Sequence, residues 1–526
     1  MPFIAIIIIA LAVIGNSIPL ILGFLKTPPG QVFLGTIHHP FDYFAYVSQF
    51  AQGQEGALQM QNLYTHEFTR SVLVGSVNAL LGKFWSLAHI PPIPAYQLSV
   101  ILFTIVFLSL AYLFIKELFG TDKNSCWKSV VAFILFITAS PLPIPERSGS
   151  IWHITFVDHW FNFGNPFARL GFVPHHLILK SSILSIFLLA ILLPRLSSSG
   201  KRIAAVIAIA ASSLIAANID PVQWLLAAAA LLVVTMISAG ASALFVPPII
   251  VILAGLPMVV YLRTLFSRLP YSQLSQWEVT QQVHITVFSY LLANGPVVFL
   301  ALIGLWWFCR RLNPARQLLL VFNLLGLGMF FSPLPERLGL SNVRFTSPFN
   351  MLLFAGVASG FIHVISARFR AKHLVTGILV GTLVLLSVPT TVSCIQKYEA
   401  DTDVKSAYHY LPPSVIQFFE QTRSISSSGD TFFVLWPYNV PFPGVTGRRS
   451  YFGHPLLTID NQQKELEAYE FFGGKMDTGR MQTFLLYHRI TYVVAYSHTL
   501  PEQDLPILTK VLESPILTLY RVQPVK

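Results

Sequence analysis

The sequence has little charge and little cysteine. Only 11% of its 526 residues are charged and 3 are cysteines, whereas 54% are hydrophobic. Soluble domains carry roughly 25% charged residues, so this composition excludes an ordinary soluble protein. Cys126, Cys309 and Cys394 lie far apart, in or beside apolar segments. Neither a disulfide framework nor a cysteine metal site is therefore predicted.

Several enzyme motifs are also absent. No P-loop, GxSxG, HExxH or GxGxxG motif occurs in a suitable context. These absences argue against nucleotide-driven transport, the common hydrolase families and a nucleotide cofactor. The net charge of +11 comes from short basic clusters between apolar runs. Such clusters are typical of membrane topology signals, so nucleic-acid binding is not predicted.

Long apolar runs dominate what is present. A transmembrane helix needs about 20 predominantly apolar residues. The first run lacks the basic start and short core of a signal peptide, so we expect a retained membrane helix. About eleven runs have this character and predict a polytopic α-helical membrane protein: residues 3–25, 97–119, 128–145, 176–194, 203–219, 221–238, 243–262, 286–308, 316–333, 346–366 and 373–394.

The basic residues predict the orientation of these helices. Loops on the cytoplasmic side of a membrane are enriched in Lys and Arg. With a cytoplasmic N-terminus, the inner loops at 116–128, 195–202, 238–242, 310–316 and 366–373 hold more Lys and Arg than the longer outer loops. We therefore expect an extracytoplasmic tail and outer loops at 26–70, 146–175, 263–285 and 334–345.

From about residue 395 the sequence changes character. PPSVIQFFEQTR and NQQKELEAYEFF have helical spacing, and TFFVLWPY, TYVVAYS and ILTLYRV resemble short buried strands. Such alternation predicts a small soluble α/β domain. We therefore expect a transmembrane catalytic domain over residues 1–394 and an extracytoplasmic α/β domain over residues 395–526.

The stretch IHHPFDYFAYVSQFAQGQEG, residues 37–56, places one carboxylate, Asp42, among aromatics just after the first run. On a helix, Asp42 and Tyr46 would share one face, and apolar neighbours would suit the carboxylate to act as a base. Alternatively, Asp42 caps an interfacial helix and the aromatics form a membrane belt. His38 and His39 are either metal or phosphate ligands or interface packing.

A second polar cluster occupies the predicted outer loop at residues 146–180. An aspartate with several histidines nearby could bind a divalent cation, or the cluster could be a hydrogen-bonded loop on the membrane surface. Arg169 and Lys180 could hold a phosphate. The ionisable residues of the cluster are Glu146, His153, Asp158, His159, Arg169, His175, His176 and Lys180.

Two further segments carry basic residues on the predicted outer side. Arg344 either snorkels to the interface or pairs with an anionic headgroup or lipid-linked phosphate. In the tail, the Gly- and Pro-rich residues 437–460 form either a plain turn or a lid, and they include Arg448, Arg449, Tyr451 and His454.

This layout resembles the GT-C superfamily, integral membrane glycosyltransferases that use polyprenyl-phosphate sugars. The resemblance rests on DYFAYVSQFAQG after the first helix, a second acidic outer loop, about eleven helices, a late outer-loop arginine and the tail. GRRSYFGHPLLTID, followed by Lys464 and Phe471-Phe472-Gly473, resembles the tail of bacterial mannosyltransferase-like members. The resemblance to the GT-C superfamily implies transfer of a hexose or pentose to an extracytoplasmic glycan, lipid or protein at a bacterial plasma membrane.

The resemblance also implies residue roles. Asp42 would be a catalytic base or metal ligand, Asp158 (or else Glu146) the second acidic residue, and Arg344 the ligand of the lipid phosphate. A divalent cation, Mg²⁺ or Mn²⁺, would bind Asp42 and Asp158. This sequence departs from the pattern in having HHPFD in place of an acidic pair and no acidic partner beside Asp158. Expected substrate-binding residues are His38, His39, Tyr46, Arg169, His175, His176, Lys180, Arg344, Arg449 and His454.

The alternative is a transporter or flippase of a lipid-linked or polar substrate. Transporters place ionisable residues at mid-membrane and often contain paired half-helices or internal repeats. The predicted helices here carry almost no charge at their centres, and the polar residues gather at the outer mouths. A non-catalytic membrane scaffold with a binding tail would leave those polar clusters unexplained. The sequence therefore favours a transferase.

Overall fold

The computed structural model describes residues 3–37, 39–120, 125–160, 162–237, 246–310, 312–497, 499–500 and 506–523. The chain is 65% helical. The helices are α1 (Phe3–Leu25), α2 (Pro40–Gln54), α3 (Ser76–Ser86), α4 (Pro92–Phe119), α5 (Ser125–Thr138), α6 (Pro166–Leu170), α7 (Pro174–Leu192), α8 (Ser199–Ile219), α9 (Pro221–Ile237), α10 (Val246–Leu265), α11 (Tyr271–Val279), α12 (Val287–Asn294), α13 (Pro296–Cys309), α14 (Pro314–Phe330), α15 (Leu334–Arg337), α16 (Pro348–Ser366), α17 (Lys372–Asp401), α18 (Pro413–Ile425), α19 (Pro441–Thr446), α20 (Asn461–Phe472) and α21 (Thr478–Tyr487).

The strands are short by comparison. They are β1 (Val32–Phe33), β2 (Ile144–Ser148), β3 (Ile151–Thr155), β4 (Tyr410–Leu411), β5 (Thr431–Val434), β6 (Arg449–Ser450), β7 (Tyr492–Tyr496), β8 (Leu508–Glu513) and β9 (Leu517–Val522).

Internal contacts divide the chain into two compact units. The first unit comprises Met1–Ile18, Val100–Thr264 and Ser275–Lys397, and the second comprises Pro19–Ser99, Leu265–Leu274 and Tyr398–Lys526. The second unit thus joins the residues after the first apolar run to the tail. The boundary between residues 394 and 395, chosen from composition, stays a prediction.

Each predicted apolar run overlaps a helix, but the run at 128–145 extends beyond the end of α5 at Thr138 and into β2. Within the described ranges, 7 helices are long and apolar enough to cross a membrane, or 8 if the bent pair α12 and α13 forms one span. The remaining runs form the shorter apolar helices α5, α9 and α14. The prediction of a polytopic α-helical membrane protein is confirmed, and the chain is an integral, multi-pass membrane protein.

The bend between α12 and α13 has a local cause. The two helices meet at 109°, with Gly295 between them at φ +76°, a conformation that favours glycine. A Cβ on Gly295 would lie 1.8 Å from the carbonyl oxygen of Ser140. Pro296 then starts α13, where proline at the first turn leaves no helical hydrogen bond unmade.

The second unit contains the predicted α/β region. Its five-stranded sheet has the order β6-β5-β7-β9-β8, parallel between β6, β5 and β7 and antiparallel between β7, β9 and β8. The predicted strands correspond to β5, β7 and β9, and the predicted helices to α18 and α20. Phe433, Tyr451 and Phe471 pack fully buried in its core, because strand and helix present apolar faces to each other.

Residues of the first predicted outer loop pair with the tail within the second unit. β1 and β4 form an antiparallel pair, with Val32 opposite Leu411. The backbone N–H of Ser450 donates to the carbonyl of Leu63 at 2.8 Å. α2 also packs tightly on α3, because a Cβ on Gly53 would lie 2.0 Å from the carbonyl oxygen of Ala79. The close approach of Gly53 to Ala79 fixes α2 against α3.

Candidate functional site

Asp42 lies in the first turn of α2. The N-cap residue is His39, at φ 45°, and it makes no side-chain capping hydrogen bond, so Asp42 is not the cap. A carboxylate in the first turn is favoured by the helix dipole. Its side chain is 54% exposed, so the apolar enclosure inferred from the neighbouring aromatics is not present.

His454, from the tail, contacts this carboxylate. Its Nε2 lies 3.2 Å from Asp42 Oδ1, and only 4% of its side chain is exposed. The rings of Phe41 and Tyr64 flank the imidazole at centroid distances of 6.2 and 5.9 Å. The structure thus brings together two predicted site residues that are 412 positions apart in the sequence.

The other end of α2 is also held by the tail. Glu55, the C-cap residue of α2, accepts hydrogen bonds from Arg448 Nη1 at 2.8 and 3.0 Å. Arg423 Nε reaches the same carboxylate at 3.2 Å. The Arg448 side chain is only 7% exposed, which reduces solvent screening of this ion pair. One tail segment therefore contacts both ends of the helix that carries Asp42.

A cluster of ionisable side chains joins residues 65–67 to the tail. Lys464 Nζ lies 2.7 Å from both carboxylate oxygens of Glu67 and 3.0 Å from Thr65 Oγ1. His66 Nε2 lies 3.1 Å from His488 Nδ1, and the His66 ring stacks on Tyr451 at 4.8 Å. We call these residues, together with Glu467, which accepts a hydrogen bond from Tyr451, the loop–tail cluster.

Burial sets the protonation of the loop–tail cluster. Burial, assisted by the nearby Lys464 charge, lowers the pKa of His66 to about 4. Burial acts to raise the pKa of Glu67, but the hydrogen bonds from Lys464 and Thr65 outweigh it and lower that pKa. The cluster therefore holds a neutral imidazole beside an ionised Glu67 at neutral pH, and burial lowers the pKa of Lys464.

Solved structures resemble this chain in fold. The apo crystal structure of the Archaeoglobus fulgidus oligosaccharyltransferase matches with a TM-score of 0.53 and 12% identity, over 94% of this chain and 69% of that one. The archaeal oligosaccharyltransferase AglB from the same organism, in complex with an inhibitory peptide and a dolichol-phosphate, matches with a TM-score of 0.52 and 12% identity, over the same shares. Both belong to the GT-C superfamily.

The chain has a GT-C fold. Neither a scan against protein-family models nor a search of curated protein sequences finds a match. The identity to the solved structures is low, so the likeness concerns the fold.

Within the GT-C fold, Arg344 is bound by two carboxylates of the first unit. Its Nε and Nη2 donate to Glu278 at 2.8 and 3.1 Å, and its Nη1 lies 3.6 Å from Asp220 Oδ2. Asp220 also accepts from the backbone N–H groups of Val222 and Gln223 at the start of α9. The guanidinium is thus oriented by a paired hydrogen bond, the geometry that arginine also uses for phosphate.

Arg169 and Lys180 are buried cations of the first unit. The Arg169 guanidinium donates to the carbonyls of Phe163, Gly164, Ile137 and Ala139 at 2.6 to 3.3 Å. Lys180 Nζ donates to the Arg169 carbonyl at 3.0 Å. A phosphate could bind either group only by displacing these main-chain contacts. Their predicted role in phosphate binding stays a prediction.

Asp158 lies in the first unit and Asp42 in the second. Asp158 Oδ2 is 3.6 Å from Lys397 Nζ, and Oδ1 accepts the backbone N–H of His159. Over the described residues, no three His, Cys, Asp or Glu side chains group as a metal ion would require. Asp42 and His454 together offer only two side chains that could bind a metal ion. The described side chains therefore do not form a complete metal site.

The remaining predicted residues are placed as follows. His175 and His176 lie in the first turn of α7, with ring centroids 4.7 Å apart. Tyr46 is half-buried on α2, one turn after Asp42. Arg449 Nη2 donates to Gln61 at 3.1 Å. His38 lies outside the described residues.

Sequence reasoning did not single out the carboxylate partners of the predicted cations. Glu278 follows Trp277 in α11, where one carboxylate in a polar loop carries no spacing signal. Glu55 and Glu67 also lie in loop-like sequence and gain their partners only through contacts with the tail. The sole available signal was the shortage of acidic residues in an apolar chain, which makes each carboxylate a candidate.

Proposed function

We propose that this protein is a membrane glycosyltransferase of the GT-C type. It transfers a sugar from a polyprenyl-phosphate donor to an extracytoplasmic acceptor, which is a glycan, a lipid or a protein. The observation that carries the proposal is the Asp42–His454 pair, an exposed carboxylate held by a buried imidazole at the start of α2. The GT-C fold supports it, since the solved relatives include an oligosaccharyltransferase in complex with a dolichol-phosphate.

Asp42 acts as the base for the acceptor. The acceptor hydroxyl loses its proton to the Asp42 carboxylate as its oxygen bonds to the anomeric carbon. The bond between that carbon and the phosphate oxygen breaks, and the lipid phosphate leaves with the electron pair. Asp42 then releases the proton to solvent, which its exposed side chain allows.

The leaving phosphate gains negative charge and needs a cation. Arg344 is the proposed ligand, because its guanidinium is already oriented for two parallel hydrogen bonds. Asp158 stays the proposed second carboxylate, and a need for Mg²⁺ or Mn²⁺ stays a prediction. The proposed setting is a bacterial plasma membrane, with the N-terminus cytoplasmic and the tail outside.

Asp42→Asn tests the proposal. The purified protein is reconstituted in liposomes with a radiolabelled polyprenyl-phosphate sugar and a cell-envelope extract as acceptor. Asn keeps the shape of Asp but cannot take a proton, so we expect transfer to fall by roughly 100-fold or more, the usual contribution of a general base. Asp460→Asn is the matched control, because Asp460 is exposed and at φ 53°, which Asn tolerates.

Two outcomes contradict the proposal. Unchanged transfer by Asp42→Asn removes the base, and flux of the labelled lipid across the bilayer without any transfer product favours a flippase. Loss of transfer in both variants points to a folding defect, which is checked by comparing their unfolding temperatures.

A further inference from the structure

The hydrogen bonds at Nδ1 of His454 show which nitrogen of the imidazole ring carries the proton. The backbone N–H groups of Leu456 and Leu457 both point at Nδ1, at 3.1 and 3.3 Å. A nitrogen that accepts hydrogen bonds carries a lone pair and no proton. The single proton of the neutral ring is therefore on Nε2, the atom that lies 3.2 Å from Asp42 Oδ1.

We infer that His454 is a neutral positioning residue, whose Nε2–H donates to Asp42 and orients its carboxylate toward the acceptor. This inference rests on the proposed function of Asp42. It assigns His454 a role different from direct substrate binding. With Nδ1 occupied by two main-chain donors and Nε2 by Asp42, both ring nitrogens are already engaged.

A neutral donor suits a base better than an imidazolium would. An imidazolium would form an ion pair and reduce the tendency of Asp42 to take a proton. A neutral N–H fixes one carboxylate oxygen and leaves the negative charge in place. Because the imidazole is buried and Asp42 is 54% exposed, the donor is rigid while the carboxylate faces solvent. Such preorganisation is how a supporting residue accelerates a reaction.

His454 also has a structural role, carried by its other nitrogen. Nδ1 closes the turn at residues 454–457, where the N–H of Thr458 also donates to the carbonyl of His454 at 2.9 Å. The two roles thus lie on different ring atoms. Asn places a polar atom near the position of Nδ1, whereas Gln places its amide nitrogen near the position of Nε2. The two amides separate the roles.

The experiment compares His454→Asn and His454→Gln in the liposome transfer assay. His454→Gln keeps a donor for Asp42, so it should retain most of kcat. His454→Asn keeps the turn but loses the donor, so kcat should fall on the order of 10- to 100-fold, the cost of a misplaced catalytic group, with KM values little changed. The unfolding temperatures should rank the opposite way, with Asn at least as stable as Gln.

The reverse activity order, with Asn as active as Gln or more active, overturns the inference while leaving Asp42 as the base. Retained activity in Asp42→Asn overturns both. A second measurement does not depend on turnover. NMR spectra are recorded at neutral pH for ¹⁵N-histidine-labelled wild type and His454→Gln. The signals present only in the wild type belong to His454, and they should be those of the neutral Nε2–H tautomer. An imidazolium or Nδ1–H signature overturns the inference.

Discussion

At the scale of single residues, Glu278 occupies the position on Arg344 that the proposed function assigns to a phosphate. Glu278 offers two oxygens to the guanidinium at 2.8 and 3.1 Å, as a phosphate would. The Arg344 side chain is 31% exposed, so a ligand can reach it. If Arg344 binds the lipid phosphate, Glu278 and the phosphate compete for the same hydrogen-bond donors.

This competition predicts opposite effects of two substitutions on phosphate affinity. Glu278→Gln removes the competing charge and should tighten binding of polyprenyl phosphate. Arg344→Lys keeps one charge but loses the paired geometry, and should weaken it by about tenfold, the equivalent of about 1.4 kcal/mol. Binding is measured by isothermal titration of the detergent-solubilised protein with polyprenyl phosphate. Glu336→Gln is the control, because it removes the charge of an exposed glutamate in α15. Equal affinities in all variants would remove Arg344 as the ligand.

Asp42 and Arg344 could be singled out from the sequence because they are isolated charges at the ends of apolar runs. The partner of each could not be predicted. His454 is far from Asp42 in the sequence, and Glu278 gains its significance only from its distance to Arg344. The burial of Arg169 was also not predictable, because four main-chain carbonyls, which no sequence pattern marks, satisfy its guanidinium.

At the scale of elements, the loop–tail cluster makes the stability of the second unit depend on pH. The pKa of His66 is lowered from 6.5 to about 4, so the folded state binds fewer protons than the unfolded state between these values. A group with a depressed folded-state pKa stabilises the fold above its unfolded pKa and loses that contribution as pH falls. Glu67, whose pKa is also lowered, acts in the same direction at lower pH.

We therefore expect the unfolding temperature of the wild-type protein to fall as pH decreases from 6.5 to 4. His66→Phe keeps a ring against Tyr451 but cannot bind a proton, so its unfolding temperature should change less over this range. His153→Phe is the control, because His153 is 45% exposed. The measurement is differential scanning fluorimetry at several pH values. A pH dependence that is the same in His66→Phe and wild type would contradict this prediction.

Regular elements were predictable where apolar periodicity was strong, and this explains the agreement for the membrane helices and for β5, β7 and β9. β6 is two residues long and β8 is mostly exposed, so neither has a periodic signal. The pairing of residues 32 and 33 with the tail is also a long-range contact that alternation along the chain cannot indicate.

At the scale of the whole molecule, the distribution of basic residues predicts which segments face the cytoplasm. Cys126 is exposed and lies in the predicted inner loop at 116–128, whereas Cys394 is buried. In intact cells, a membrane-impermeant maleimide should not label Cys126 until the membrane is permeabilised. In a Cys126→Ser background, Ser427→Cys in the tail should be labelled without permeabilisation. The opposite pattern would invert the predicted topology.

The distance along the chain between Asp42 and His454 has a consequence for biosynthesis. A ribosome that has delivered Asp42 must add 412 more residues before His454 exists, which at about 5–20 residues per second takes tens of seconds. During that time α2 lacks its contacts with both His454 and Arg448. The nascent protein therefore passes through membrane insertion with Asp42 unaligned. If Asp42 is the proposed base, sugar transfer begins only after the tail has been made and folded.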